Sequence, residues 1–199
     1  MQEIQNVRTK DFIVKILSEK IILNEIPSGS ELSQEELASS FNVSRIPIRE
    51  ALQILEKQGL VKRLSNRHII ISDLNPDNIQ ETFSFICNME DYNIINLLNN
   101  DNDFYNFLYN WTFENNDLIF HERLIFYIKN NFIKNILKNS FESYLETTCK
   151  LSKSMEKEAL LSKSIQSYLI KDSILAKENF QEYFNFLSNE LINERSKNK

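Results

Sequence analysis

Residues 33–59 constrain the fold of this chain more than any other stretch, because they predict two short helices joined by a tight turn. Ser33 and Glu36 form a capping-box pattern, in which each side chain can satisfy a free backbone N–H of the other residue. Ser44 is expected to cap the next helix, and Pro47 falls in its first turn, where a missing N–H is tolerated. The stretch therefore predicts a helix-turn-helix.

The second helix of this pair has two distinct faces. Its apolar residues recur three and four positions apart, which predicts a buried face made of Ile48, Ala51, Leu52 and Leu55. Arg45, Arg49 and Gln53 fall on the opposite side, and Gly59 is expected to end the helix as its C′ residue.

The flanking segments complete a small domain. A helix is predicted from about Thr9 to Leu23, and Asn24 after it tolerates the left-handed conformation of a helix end. Residues 60–64 and 68–72 alternate as two strands around a turn at 65–67. Three helices followed by a hairpin predict a winged helix, with the hairpin tip as the wing.

The sequence pattern of the remainder of the chain predicts helices almost throughout. The whole sequence holds two Gly and three Pro, which argues against an all-β fold and against a Gly-rich phosphate loop. The predicted fold class is mostly α: a winged helix-turn-helix at residues 1–74, then an all-α antiparallel helical bundle at residues 75–199. The first bundle helix is expected to bury a stripe made of Phe83, Ile86, Met89 and Tyr92.

Net charge and cysteine content limit which binding partners and which cellular compartment are expected. The net charge is −5, and the excess of acidic residues lies beyond residue 72, so the N-terminal third remains compatible with DNA. Cys87 and Cys149 stand far apart and are expected to be buried free thiols. With no signal-peptide pattern and no spanning apolar stretch, a cytoplasmic location without a membrane partner is expected.

The stretch PSGSELSQEELASSFNVSRIPIREALQILEKQGLV resembles the winged-helix domain of GntR-family transcription regulators over about residues 10–72. The shared features are a Pro/Gly turn, a Leu-Ala pair, Val-Ser-Arg, a Pro, Arg-Glu-Ala-Leu and Gly-Leu-Val. The helical remainder is similar to the FadR-like branch, whose C-terminal domain is called FCD. That similarity rests on a D-x-x-F-H-x-x-L…N segment formed by Asp117, Phe120, His121, Leu124 and Asn130. These resemblances imply a DNA-binding domain at residues 1–74 and an FCD-like effector-binding and dimerisation domain at residues 75–199.

The resemblance implies that Arg45 and Arg49 contact DNA, with guanine edges as the expected base target. Four residues apart, they share the N-terminal end of a helix, the end that helix-turn-helix proteins place in the major groove. Ser33 and Ser44, at two helix starts, suit contacts between N–H groups and phosphate oxygens. The alternative is that the two arginines only solvate a helix face.

The wing is expected to add further contacts. Lys62, Arg63 and Arg67 would bind phosphates, and His68 either enters the minor groove or faces solvent. Glu35 stands where some relatives carry a basic residue, so a smaller phosphate contribution is expected there. Family members dimerise, which implies a homodimer on a pseudo-palindromic operator, with repression commoner than activation.

Many FadR-like regulators hold a divalent metal with one Asp and three His. Asp117 and His121 match two of these positions, but the others fall on Leu161 and Tyr183, and the arginine used for acidic ligands falls on Ile86. Because Zn²⁺ needs three or four protein ligands, we interpret the pair as hydrogen-bonded within its helix or as a vestigial half-site. A metal completed by waters or other carboxylates is the alternative, and no cofactor is otherwise expected.

The expected effector site contains Phe83, Asp117, His121 and Tyr183. An aromatic-lined pocket is a second expectation, with core packing as its alternative, for Phe83, Trp111, Phe120, Tyr144 and Tyr183. The predicted function is a homodimeric, effector-controlled transcription repressor. The alternative is an effector-free DNA-binding and dimerisation module whose bundle only mediates protein interaction. No nucleophile–base pair or closed metal set appears, so the chain is not expected to be an enzyme.

Overall fold

A computed structural model describes residues 2–111, 116–151 and 154–198, with side chains described from residue 9 onward. The chain divides into two compact units. Unit 1 comprises Met1–Asn75 with Glu194–Lys199, and unit 2 comprises Pro76–Asn193. The units differ from the expected domains, 1–74 and 75–199, because the last residues group with unit 1.

Unit 1 is a winged helix. Its elements are α1 (Gln2–Ile22), α2 (Gln34–Ser40), α3 (Arg45–Lys57), β1 (Val61–Arg63) and β2 (Ile69–Ile71). The strands pair antiparallel with Val61 opposite Ile71, and Glu31 forms an isolated bridge to Ile70. Helix α1 packs mainly against α3. The mostly α fold class with an N-terminal winged helix-turn-helix is therefore confirmed.

The core of unit 1 follows from the apolar spacing of α3. The residues Ile48, Ala51, Leu52 and Leu55 are fully buried, as predicted. They meet Ile13, Leu17 and Ile21 of α1, which are also buried. Phe12 of α1, next to the buried Ile13, is exposed.

The ends of the helices in unit 1 follow the sequence with one difference. The Ser33 hydroxyl accepts a hydrogen bond of 3.4 Å from the backbone N–H of Glu36, and Gly59 ends α3 with φ +76°. Ser44 occupies the N-cap position of α3, but its side chain makes no capping hydrogen bond. Pro47, the third helical residue, has no N–H, so only the Ile46 N–H remains as a possible donor for this cap, and the Ser44 hydroxyl does not bond it.

The C-terminal residues of the chain belong to the packing of unit 1. Arg195 is buried and donates hydrogen bonds to the carbonyl oxygens of Ile21 (2.7 Å) and Ile22 (2.6 Å) at the end of α1. Its second terminal nitrogen donates to the Asn24 side-chain oxygen at 3.2 Å. The guanidinium therefore serves the carbonyl groups at a helix end: it bonds the Ile22 carbonyl and adds a second bond to the Ile21 carbonyl, which also accepts the Asn24 N–H at 3.1 Å.

Unit 2 is all-α in the parts that the structure describes. Its helices are α4 (Pro76–Asn100), α5 (Asn102–Tyr109), α6 (Asp117–Tyr127), α7 (Asn131–Ser140), α8 (Glu146–Leu151), α9 (Met155–Leu169) and α10 (Ser173–Lys197), the last of which ends among the residues of unit 1. A π-helical turn, Phe141–Leu145, joins α7 directly to α8.

The buried face of α4 differs from the predicted stripe. Phe83 and Ile86 are buried as expected, but Tyr92 is exposed, and the face continues through Glu90 and Ile94. The predicted stripe contains no charged residue, and beyond Ile86 it departs from the face that the structure buries. The neighbouring helices explain the burial, because they supply a partner for the Glu90 carboxylate.

Among the described residues, no helix is both long and apolar enough to span a bilayer.

Candidate nucleic-acid interface and buried polar cluster

The N-terminal end of α3 presents two exposed arginines. Arg45 is the first residue of the helix, and Arg49 follows one turn later, opposite the buried face. The Arg49 side chain has no hydrogen-bond or ion-pair partner among the described residues. The structure thus places both predicted base-contacting residues on one accessible surface, where a major groove could receive them.

Acidic side chains contact two of the predicted DNA-binding residues. The Arg45 guanidinium lies 2.8 Å from a carboxylate oxygen of Glu35, and the two side chains are 64% and 75% exposed. In the same unit, the His68 Nδ1 contacts the Glu31 carboxylate. DNA phosphates would have to compete with these carboxylates for the same cations.

The wing carries the other predicted phosphate contacts. Lys62, Arg67 and His68 are exposed, and Arg67 adopts φ +70° in the turn between the strands. Arg63 differs because its guanidinium lies 3.3 Å from the Glu56 carboxylate. The structure therefore brings Lys62, Arg67 and His68 to one hairpin. Ser33 is half-buried at the start of α2, and Ser44 is exposed at the start of α3.

A separate polar cluster lies inside unit 2. His121 is fully buried, with its Nδ1 at 2.9 and 3.0 Å from the two Glu90 carboxylate oxygens. Its Nε2 lies 3.0 Å from the Tyr183 hydroxyl, which donates a hydrogen bond of 3.3 Å to Asp117. Three of the four predicted effector-site residues are thus directly connected, and Tyr183 is the link between Asp117 and His121.

Lys157 supplies a buried positive charge to this cluster. Its Nζ lies 2.9 Å from an Asp117 carboxylate oxygen and donates a 2.6 Å hydrogen bond to the Cys149 carbonyl. The polar cluster, comprising Glu90, Asp117, His121, Lys157 and Tyr183, draws side chains from α4, α6, α9 and α10. Its members satisfy one another in a water-excluded interior, as buried polar groups must.

Burial and nearby charge perturb the groups around the cluster. Desolvation, followed by the Asp117 charge, raises the pKa of the Cys149 thiol well above its usual value. Desolvation, with Cys149 and Asp117 adding to it, likewise raises the pKa of Tyr183. Both groups therefore stay protonated at neutral pH, and the Tyr183 hydroxyl keeps a proton to donate.

Asp117 and His121 do not hydrogen-bond each other, so the interpretation of the two as a pair bonded within their helix is wrong. Both His121 nitrogens are already taken by Glu90 and Tyr183, and Asp117 bonds to Tyr183 and Lys157 instead. Sequence reasoning missed Glu90 and Lys157. Glu90 lies four positions after the buried Ile86, and Lys157 lies four positions before the buried Leu161. Residues four apart share a helix face, so this spacing could have indicated that both charged side chains are buried.

The predicted aromatic pocket is filled by its own rings. Phe83 packs edge-on against Tyr144 and Phe184, with ring centroids 6.4 Å apart in both cases. Trp111 packs edge-on against Phe120 at 5.8 Å. These contacts agree with the alternative of core packing, since edge-to-face pairs at such distances are typical of protein interiors.

Unit 2 also has two open cavities. One, of about 200 Å³, is lined by Ile95, Leu98, Asn99, Tyr105, Tyr168, Leu169, Lys171 and Ser173. The other, of about 310 Å³, is lined by Tyr92, Asn93, Asn96, Leu97, Asn100, Asp101, Ile128, Lys129, Asn130 and Ile133. The smaller cavity combines an apolar lining with the Tyr105 ring and the Lys171 ammonium, which suits a small amphipathic molecule.

Solved structures with a similar fold cover nearly the whole chain. Lar, described as controlling the expression of the Listeria monocytogenes agr system, is 22% identical, with a TM-score of 0.58 over 92% of this chain and 96% of that one. McbR/YncC of E. coli is 13% identical, with a TM-score of 0.59 over 93% and 97%. At these identities the likeness concerns the fold.

Curated relatives match the N-terminal part. An uncharacterised HTH-type transcriptional regulator of Bacillus subtilis, YdhC, is 36% identical over 72 residues, covering 36% of this chain and 32% of that protein. The gluconate operon transcriptional repressor of Bacillus licheniformis is 38% identical over 73 residues, covering 37% and 30%. The chain thus matches about a third of the length of these relatives.

The relatives are named as transcriptional regulators, which agrees with the prediction that the chain is not an enzyme. The family model described as "Bacterial regulatory proteins, gntR family" matches residues 9–71. It ends before α4, so the FadR-like assignment of the helical unit stays a prediction. Over residues 9–71 the winged helix-turn-helix is therefore similar to the gntR family of bacterial regulatory proteins.

Proposed function

We propose that this chain is a cytoplasmic, sequence-specific DNA-binding transcription regulator. The observation that carries the proposal is the exposure of Arg45 and Arg49 at the N-terminal end of α3, within a winged helix that matches the GntR model. Arg49 has no competing partner in the described part of the chain, so it is the stronger candidate for a bidentate contact with guanine. Lys62, Arg67, Ser33 and Ser44 would position the domain on phosphates.

The proposed mode of action is repression by a homodimer. A relative named as the gluconate operon transcriptional repressor supports the direction of regulation. One winged helix reads only a few base pairs, so two copies related by a two-fold axis would recognise an inverted repeat with half-sites about 10 base pairs, or a multiple of this, apart. A solution mass of twice that of the chain would support the dimer, and a monomeric mass at micromolar concentration would contradict it.

Selection of bound sequences from a random double-stranded library tests the DNA function. Wild-type protein should enrich a motif with two-fold symmetry. Arg49→Ala should lose about tenfold or more in affinity for that motif, because a bidentate arginine–guanine contact contributes about 1–3 kcal/mol of discrimination. Arg123→Ala, at an exposed arginine on α6, is the matched control and should bind like the wild type.

Two outcomes would contradict the proposal. One is a selection in which no motif is enriched above the starting library. The other is an enriched motif that Arg49→Ala and Arg123→Ala bind with equal affinity, which would assign sequence reading to a different surface.

We further propose that a small molecule controls DNA binding through unit 2. Phe83, Asp117, His121 and Tyr183 are one candidate site, and the cavity beside Tyr105 and Lys171 is the other. A thermal-shift screen with metabolites would identify ligands. Tyr105→Ala would then abolish the thermal shift only for a ligand in the cavity beside Tyr105 and Lys171. Phe83→Leu would weaken the binding only of a ligand that reaches the polar cluster.

An effector-free module is the alternative function. The internal bonds of the polar cluster and the ring packing of the aromatic core favour it, because a ligand at either place would have to displace contacts that are already made. Selected DNA would then bind with the same affinity in the presence and absence of a metabolite extract. A change in affinity that depends on the extract would exclude this alternative.

A further inference from the structure

The polar cluster of unit 2 has the architecture expected of a cation site, with carboxylates and an imidazole brought together from several helices. Asp117 and His121 also occupy two positions at which relatives of the predicted branch hold a metal. Whether a metal ion fits depends on the free lone pairs of these side chains and on the charges already present. Both can be read from the geometry.

The donor atoms of the cluster are already engaged. The two His121 nitrogens face Glu90 and Tyr183 at 2.9 to 3.0 Å, so neither is directed at the Asp117 carboxylate. Within the described part of the chain, no three His, Cys, Asp or Glu side chains are placed to hold a metal. A metal ion would have to break the Glu90–His121–Tyr183 chain before it gained a nitrogen ligand.

The cation position beside Asp117 is filled by the protein itself. The Lys157 ammonium lies 2.9 Å from Asp117, and Lys157 as a residue is 4% exposed, so the two opposite charges face each other inside the protein. A divalent ion would need to approach the same carboxylate to about 2.0–2.2 Å, close to a fixed positive charge. Repulsion in a low-dielectric interior opposes that approach strongly. The residues present do not fit a metal.

We propose that Lys157 is the built-in cation of unit 2 and makes the helical unit independent of metal ions. Its ammonium ties three elements together, since it lies on α9, faces Asp117 of α6 and hydrogen-bonds the Cys149 carbonyl of α8. A metal ion in a helical bundle links ligands from different helices in the same way. Here the link is encoded by one side chain.

The proposal predicts a strong coupling between Lys157 and Asp117. Removing either partner leaves one uncompensated buried charge, whereas removing both leaves a neutral core. Lys157→Met and Asp117→Asn should each lower the melting temperature of unit 2 by about 10 °C, and the double variant should recover more than half of that loss. Trp111, the one tryptophan of the chain, lies in unit 2 and reports its unfolding by fluorescence.

Controls separate the charge from other effects of substitution. Lys163→Met lies on the same helix at an exposed position, and it should leave the melting temperature unchanged within about 2 °C. Lys157→Arg keeps the positive charge and should retain more stability than Lys157→Met. If Lys157→Met does not fold, the arginine and double variants still test the coupling, because both should fold.

Metal content gives an independent readout on the wild-type protein. Chain purified without chelator should contain well under one equivalent of Zn, Mn, Ni or Fe by elemental analysis. Its melting temperature should not change with EDTA or with added Zn²⁺ or Mn²⁺. One bound equivalent whose removal lowers the melting temperature would overturn the proposal, and so would additive effects of Lys157→Met and Asp117→Asn.

Discussion

At the scale of single residues, carboxylates shape the proposed DNA surface as much as arginines do. Glu35 holds the Arg45 guanidinium at 2.8 Å, and Glu31 contacts His68. Both pairs are exposed, so each contributes little to stability. Their effect falls on DNA binding, because a phosphate near Arg45 or His68 meets a negative charge as well as a positive one.

Replacing Glu35 is therefore expected to increase affinity for DNA of any sequence. Glu35→Lys should raise affinity and steepen the plot of log affinity against log salt by about one unit, since one more phosphate contact releases one more counterion. Fluorescence anisotropy on a random-sequence duplex between 50 and 200 mM salt measures this.

Glu182→Lys is the matched control, because Glu182 also pairs with an exposed cation, Lys163, but lies in unit 2. A Glu35→Lys variant with the same salt dependence as the Glu182→Lys variant would show that the carboxylate does not face the DNA.

At the scale of elements, Ser44 at the start of α3 has two predicted roles, which are to cap the helix and to contact a DNA phosphate. Its hydroxyl makes no capping bond, and Pro47 removes one of the two backbone N–H donors that such a cap could use. An exposed hydroxyl at a helix N-terminus without an internal partner is available to a phosphate oxygen. The predicted DNA contact and the predicted cap thus compete for one atom, and the geometry favours the contact.

Ser44→Ala should change the free energy of unfolding by less than about 0.5 kcal/mol. Its affinity for a selected operator should fall roughly fivefold, which corresponds to a hydrogen bond of about 1 kcal/mol. Asn130→Ala is the opposite case, since Asn130 accepts two bonds at the start of α7 and its loss should destabilise by about 1 kcal/mol. Urea titrations and anisotropy measure the two quantities. A Ser44→Ala variant that loses stability but not affinity would contradict this assignment.

The elements of unit 1 were predictable because their signals are local. The spacing of Ile48, Ala51 and Leu55, and Gly59 after the last turn, lie within one helix and its end. The buried face of α4 was only partly predictable. Glu90 belongs to it because His121, 31 residues away, hydrogen-bonds its carboxylate. Periodicity within α4 carries no information about that partner.

At the scale of the whole molecule, the C-terminal residues complete the N-terminal unit. Arg195 bonds carbonyls of α1, and the Asn198 amide donates to the Leu23 carbonyl at 2.8 Å. The sequence did not indicate this, because the contacts join residues more than 170 positions apart. The same limit applied to Lys157, whose carboxylate partner lies on another helix.

Arg195→Met should destabilise unit 1 by about 2–4 kcal/mol, because it removes several charge-assisted hydrogen bonds of a buried side chain, including the one that the Ile22 carbonyl accepts. Hydrogen exchange of the α1 amides should become faster by the factor that this loss of stability predicts. The unfolding transition of unit 2, followed by Trp111 fluorescence, should not shift. Arg123→Met is the exposed control. Unchanged exchange in α1 would show that Arg195 does not support unit 1.

The stability of unit 2 should also fall in alkaline solution. Desolvation raises the pKa of both Cys87 and Cys149, so the folded state keeps two thiols protonated that ionise near pH 8.5 when unfolded. The unfolded state therefore binds fewer protons above pH 8.5. The stabilisation is present in full below that pH and is lost as pH rises, by about 1.4 kcal/mol per thiol and pH unit once titration is complete.

Urea unfolding followed by Trp111 fluorescence, under reducing conditions, should show about 2.5 kcal/mol less stability at pH 9.5 than at pH 8. A Cys87→Ala/Cys149→Ala variant should be less stable at pH 8, because it creates small cavities, yet lose much less between the two values. If the wild type and this variant lost the same amount, the pH dependence would belong to other groups. Tyr168 and Tyr183, whose pKa values burial also raises, would extend the loss only nearer pH 10.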